Sequence, residues 1–91
     1  AQEAYRVGLV NKVVPYAQLM PAAEALAASI CENGPCAVRA VKELALRGIE
    51  TSLAEGLKME IEMSKRLAQT EDSQEGPRAF AEKRKPVWKG R

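Results

Sequence analysis

Phe80, Lys83 and Arg84 are the residues of this chain whose types and spacing best fit a chemical task. Residues three and four apart share one side of a helix, so the spacing predicts a ring beside two cations. Such a side suits a flat polyanion: the ring stacks on the planar part and the cations take the phosphates. Other chemistries are excluded by composition. The chain has no histidine, which removes the commonest general base, any histidine-containing triad and any histidine metal site. Glu55, Glu60, Glu62, Glu75 and Glu82 read as caps or helix-surface charges, so no catalytic residue and no metal ligand is assigned.

These residues need a helix to carry them. Asp72 and Glu75 have the spacing of a capping box, and Pro86 disfavours helix in the residue before it. The expected helix therefore runs from Ser73 to Lys85, with Pro77 in its weak first turn. Upstream, Ser52 and Glu55 form a second capping box opening a helix over Ser52–Gln69. Leu53, Leu57, Ile61 and Leu67 make one apolar stripe on it, and Met59 and Met63 a second, offset face. Two faces imply packing on two sides. Pro35 starts a helix that runs to Arg47, with Val38, Val41 and Ala45 inward and Leu44 at the edge. Gln18–Cys31 is a further helix, with a stripe of Leu19, Ala23, Leu26, Ala27 and Ile30. Leu9–Val14 is a β-branched run closed by Pro15 and reads as one short strand or extended segment. Ala1–Tyr5, ended by Gly8, reads as the tail of a longer helix, because one or two turns do not hold themselves. The chain is thus expected to be a piece of a larger protein.

Its 91 residues make one small domain with a limited core. The net charge of +2 hides an asymmetry: Lys83, Arg84, Lys85, Lys89 and Arg91 close the chain with no acid after Glu82. That tail favours an anionic partner. It lacks interleaved aromatics, so nucleic acid is a disfavoured partner. Cys31 and Cys36 flank Asn33-Gly34-Pro35 and read as buried small apolar residues in a reducing compartment. No apolar run reaches membrane-spanning length.

The run Asp72-x-x-Glu75-Gly76-x-x-Ala79-Phe80-x-Glu82-Lys83-Arg84-x-Pro86-x-x-x-Gly90 resembles the C-terminal signature of the crotonase superfamily, the enoyl-CoA hydratases and isomerases. Glu3-Ala4-x-x-x-Gly8-Leu9-Val10-Asn11-x-Val13-Val14-Pro15 is also similar to that family. The resemblance implies a mainly α chain of about four to five helices with one short strand near its N-terminus. This would be the helical trimerisation region that follows a crotonase-like α/β spiral core. Residues 1–15 would be the end of the core and a linker, and residues 16–91 the helical domain. It implies that Phe80 and Lys83 reach across a subunit interface to the adenine and 3′-phosphate end of coenzyme A. It further implies an acyl-CoA thioester substrate, hydration or isomerisation of a 2-enoyl-CoA, no tightly bound cofactor, and a homo-trimer or hexamer. The expected location is cytoplasmic, with the mitochondrial matrix as alternative. The acid–base residues and the oxyanion hole belong to the core, so this segment alone is expected to be inactive. The competing reading is a stand-alone helical protein-interaction module.

Overall fold

Proline and serine decide where the central helices begin. The computed structural model describes residues 1–91. The chain forms α1 (Gln2–Arg6), a 3₁₀ turn (Tyr16–Gln18), α2 (Leu19–Cys31), α3 (Pro35–Gly48), α4 (Leu53–Leu67) and α5 (Glu71–Ala81). Pro35 is at the first turn of α3, where its missing N–H costs nothing. Ser52 caps α4, its hydroxyl accepting from the Glu55 amide at 3.3 Å. Only half of that capping box forms, since the Glu55 carboxylate pairs with Lys58 instead.

The chain divides into two compact units, Ala1–Ile30 and Cys31–Arg91. In the first, α1 ends in a Schellman motif. The Gly8 amide donates to the Tyr5 carbonyl at 3.1 Å and the Leu9 amide to the Ala4 carbonyl at 2.8 Å. Gly8 supplies the left-handed residue, φ 77°. The strand expected at Leu9–Val14 does not form. Ladder bonds need an adjacent extended segment, and the amides of Leu9 and Val10 are both taken by the Ala4 carbonyl. The apolar stripe of α2 is present but unburied: Leu19, Leu26 and Ile30 remain about half exposed.

In the second unit α3 packs on α4. Cys36, Ala40, Leu44 and Gly48, four apart, are among the least exposed positions of α3, and Ala40 is buried. The inward row is therefore one position round from the expected Val41 and Ala45, which are exposed. Small residues at 40 and 48 let the helices approach closely, which a stripe of branched side chains does not. Leu44, Met59 and Met63 line one cleft, so the methionine face of α4 is the one turned to α3. Leu53, Leu57 and Ile61 stay exposed. The cysteines are not buried as expected: Cys31 is exposed and Cys36 half-buried. The buried apolar residues are Ala40 and Ala79, and no large side chain is fully enclosed.

Candidate functional site

The expected capping box at the head of α5 is replaced by a different arrangement. Thr70 is the cap, its hydroxyl accepting from the Ser73 amide at 3.1 Å. Asp72 and Glu75 are released to hold the returning tail. Asp72, buried, accepts from the Lys89 amide at 2.7 Å and the Gly90 amide at 2.9 Å. Glu75 accepts from the Val87 amide at 2.8 Å and from both terminal nitrogens of Arg84. Glu71 pairs with Lys89 at 2.7 Å and Arg91 at 2.9 Å. The Arg91 carbonyl in turn accepts from the otherwise orphaned amides of Glu71 and Asp72. Arg39 donates to the Gly90 carbonyl at 3.2 Å, tying the tail to α3.

Trp88 anchors this return. Its indole N–H donates to the Glu32 carbonyl at 2.9 Å. Its ring lies against Gly34 and Gly76, where an added Cβ would stand 3.6 Å and 3.4 Å from it.

The charges here are matched closely enough to shift ionisation. The Arg84 guanidinium, then the Val87 amide, hold the Glu75 carboxyl down from 4.5 to about 2, with Arg78 adding to the effect. Arg84 is pushed further above its ordinary value by Glu75 and Glu82. Lys89, then Arg91, lower Glu71. A groove of about 600 Å³ runs between α5 and the tail, but its charged lining, including Glu75, Glu82, Arg78 and Arg84, is internally paired. It offers no surplus charge to a polyphosphate.

Phe80 and Lys83 lie outside that groove. Phe80 is 87% exposed on the last turn of α5. The helix stops at Ala81, four residues before the expected end at Lys85. Lys83 therefore does not share a helical face with Phe80. It is the left-handed residue of a second Schellman motif, φ 52°. Its amide donates to the Phe80 carbonyl at 3.2 Å, and the Arg84 amide to the Ala79 carbonyl at 3.0 Å. The Lys83 ammonium enters no ion pair. Arg84 is not the second ligand cation that its spacing implied, because it is fully engaged by Glu75 and Glu82. Glu71, Asp72, Glu75 and Trp88, which build the tail clasp, were missed as a group. The signal was there in part: acids at 71 and 75 answer bases at 84, 89 and 91.

A sequence model of one family, enoyl-CoA hydratase/isomerase, matches residues 1–91. The chain belongs to that family. Among its relatives, YngF of Bacillus subtilis, named for the enoyl-CoA hydratases/isomerases, is 48% identical over 99% of this chain and 35% of its own length. The carnitinyl-CoA dehydratase of Proteus mirabilis is 45% identical over 100% of this chain and 36% of its own. An enoyl-CoA hydratase structure from Bacillus anthracis superposes with a TM-score of 0.97 at 45% identity, covering all of this chain and 35% of that one. An enoyl-CoA hydratase/isomerase structure from Mycobacterium paratuberculosis gives 0.95 at 38% identity, over 100% and 36%. The chain thus spans about a third of the length of the relatives it matches. The helical architecture is that of the C-terminal region of a crotonase fold. No helix is long and apolar enough to cross a membrane.

Proposed function

We propose that this chain is the C-terminal part of an enzyme that hydrates or isomerises 2-enoyl-CoA thioesters, and that it completes the coenzyme A site rather than performing the reaction. Phe80 stacks near the adenine and Lys83 pairs with a phosphate of the coenzyme. Residues 1–15 join a catalytic core and residues 16–91 form the helical region. The substrate enters and leaves as a thioester, with no tightly bound cofactor.

One observation carries the reading. Around the end of α5 the cations Arg78, Arg84, Lys89 and Arg91 are paired with carboxylates, while Lys83 and Lys85 enter no ion pair and Phe80 is exposed. An unpaired ammonium and an exposed ring three residues apart in the chain are groups that a nucleotide phosphate and base could use. The exposed row Leu53, Leu57 and Ile61 supports a second role, packing against the core or a neighbouring subunit of a trimer or hexamer. The printed names of the relatives, enoyl-CoA hydratase and carnitinyl-CoA dehydratase, support the substrate class. Bacterial relatives favour a cytoplasmic setting over a mitochondrial one.

The test uses an enzyme containing this segment and its catalytic core. Lys83→Glu raises KM for the acyl-CoA more than it lowers kcat. An unchanged KM at low salt overturns the assignment, since an exposed pair is screened over about 8 Å at physiological ionic strength. The isolated chain shows no hydratase turnover. If it is a folded monomer that ignores coenzyme A, the interaction-module reading replaces this one.

A further inference from the structure

Lys83 stands in a left-handed conformation that is sterically unfavourable for an L-residue, and its surroundings hold it there. The two residues flanking it are tied by a single group. The Arg84 guanidinium binds Glu82 through Nε at 2.5 Å, so it spans from 84 back to 82 across Lys83. The same guanidinium reaches Glu75 through Nη1 at 2.5 Å and Nη2 at 3.0 Å, a fork-to-fork contact with the body of α5. Its Nη1 also donates to the Lys85 carbonyl at 3.1 Å. Glu75 is anchored in turn by the Val87 amide. The Arg84 side chain thus ties the residues on either side of Lys83, adding to the backbone bonds of the Schellman motif.

The same contacts have an electrostatic result. Glu82 is adjacent to Lys83 in the chain, and Glu75 stands on α5, which ends two residues before Lys83. Arg84 occupies both, and Arg78 approaches Glu82 at 3.7 Å. Lys83, like Lys85, is left without a carboxylate partner.

We propose that Arg84 is a positioning residue for the coenzyme A contact, holding Lys83 in its left-handed conformation and withholding Glu75 and Glu82 from its ammonium. The inference rests on the proposed role of Lys83. Arg84 touches no ligand; it acts through Lys83. Lysine cannot replace it fully, because an ammonium lacks the planar fork that grips Glu75 while reaching Glu82.

Steady-state kinetics against acyl-CoA at several salt concentrations test it, in the enzyme that includes the catalytic core. Arg84→Gln raises KM about three- to fivefold, the scale of one exposed charge contact, and leaves kcat within about twofold. Its KM also loses salt dependence, matching Lys83→Gln. Adding Glu82→Gln to Arg84→Gln recovers part of the loss by removing the released carboxylate. A role in stability alone would move neither the salt dependence nor the rescue. If Arg84→Gln is recovered insoluble, Arg84→Lys carries the test, with KM raised less than in Lys83→Glu. Lys83→Glu raising KM while both Arg84 variants leave it unchanged overturns the inference. Lys83→Glu leaving KM unchanged overturns the coenzyme A assignment itself.

Discussion

At the end of α1 the left-handed residue is Gly8, φ 77°; at the end of α5 it is Lys83, φ 52°. The two ends share the same pair of backbone hydrogen bonds, six-to-one and five-to-two. At Gly8 the backbone needs nothing more, because glycine takes positive φ without steric cost, and nothing lies within 4 Å of where its Cβ would stand. At Lys83 the same geometry is held against a steric cost, with Arg84, Glu82 and Glu75 gathered round it. A glycine end is selected by the backbone. A lysine in that place carries a steric cost that the glycine end does not.

The largest effect is expected from cutting the tail that supports the lysine end. Asp72→Ala leaves the Lys89 and Gly90 amides without their acceptor, and a lost charge-assisted bond at a buried site costs about 2–3 kcal/mol. Hydrogen–deuterium exchange at those amides should accelerate accordingly, with the α3–α4 amides much less affected. Next, the two left-handed positions should respond with opposite sign. Gly8→Ala destabilises its helix end by about 1 kcal/mol, whereas Lys83→Gly stabilises its own by a similar amount. Exchange at the Leu9 and Arg84 amides reads each end. Equal signs would break the comparison.

A pH titration sharpens it further. The Glu75 carboxyl has its folded value near 2, below its ordinary 4.5. Between those values the unfolded chain binds the proton and the folded one does not, so stability rises with pH there. The contribution is fully present above about 4.5 and is lost as pH falls toward 2. Glu75→Gln should flatten protection of the Arg84 and Val87 amides over that window, while the Gly8 end, which lacks Glu75, keeps its profile. The smallest effect belongs to exposed pairs such as Glu43–Arg47: removing either partner should shift the urea midpoint by no more than about 0.5 kcal/mol of stability.

What was legible in the sequence follows the range of the interaction. Pro35 and Ser52 act within a few residues, and the starts of α3 and α4 fall where they predict. Gly8 likewise announced its turn. Asp72 and Glu75 misled because their spacing satisfies a local motif, while the partners that claim them, Val87, Lys89 and Gly90, lie 12 to 18 positions away. Thr70, two residues earlier, was left to cap the helix. The unpaired state of Lys83 was equally hidden, since it depends on which cations win Glu75 and Glu82. Leu9–Val14 failed as a strand because β-branched composition describes a propensity, not a partner.

The absence of any fully enclosed large side chain has a consequence for the life of the molecule. With only Ala40 and Ala79 sealed from water and leucines and isoleucines facing out, the helices have little core of their own, and any surface they dock against would add to it. A copy made without that support would display oily surface to chaperones and proteases. Its lifetime in the cell would then measure how faithfully synthesis is matched to assembly.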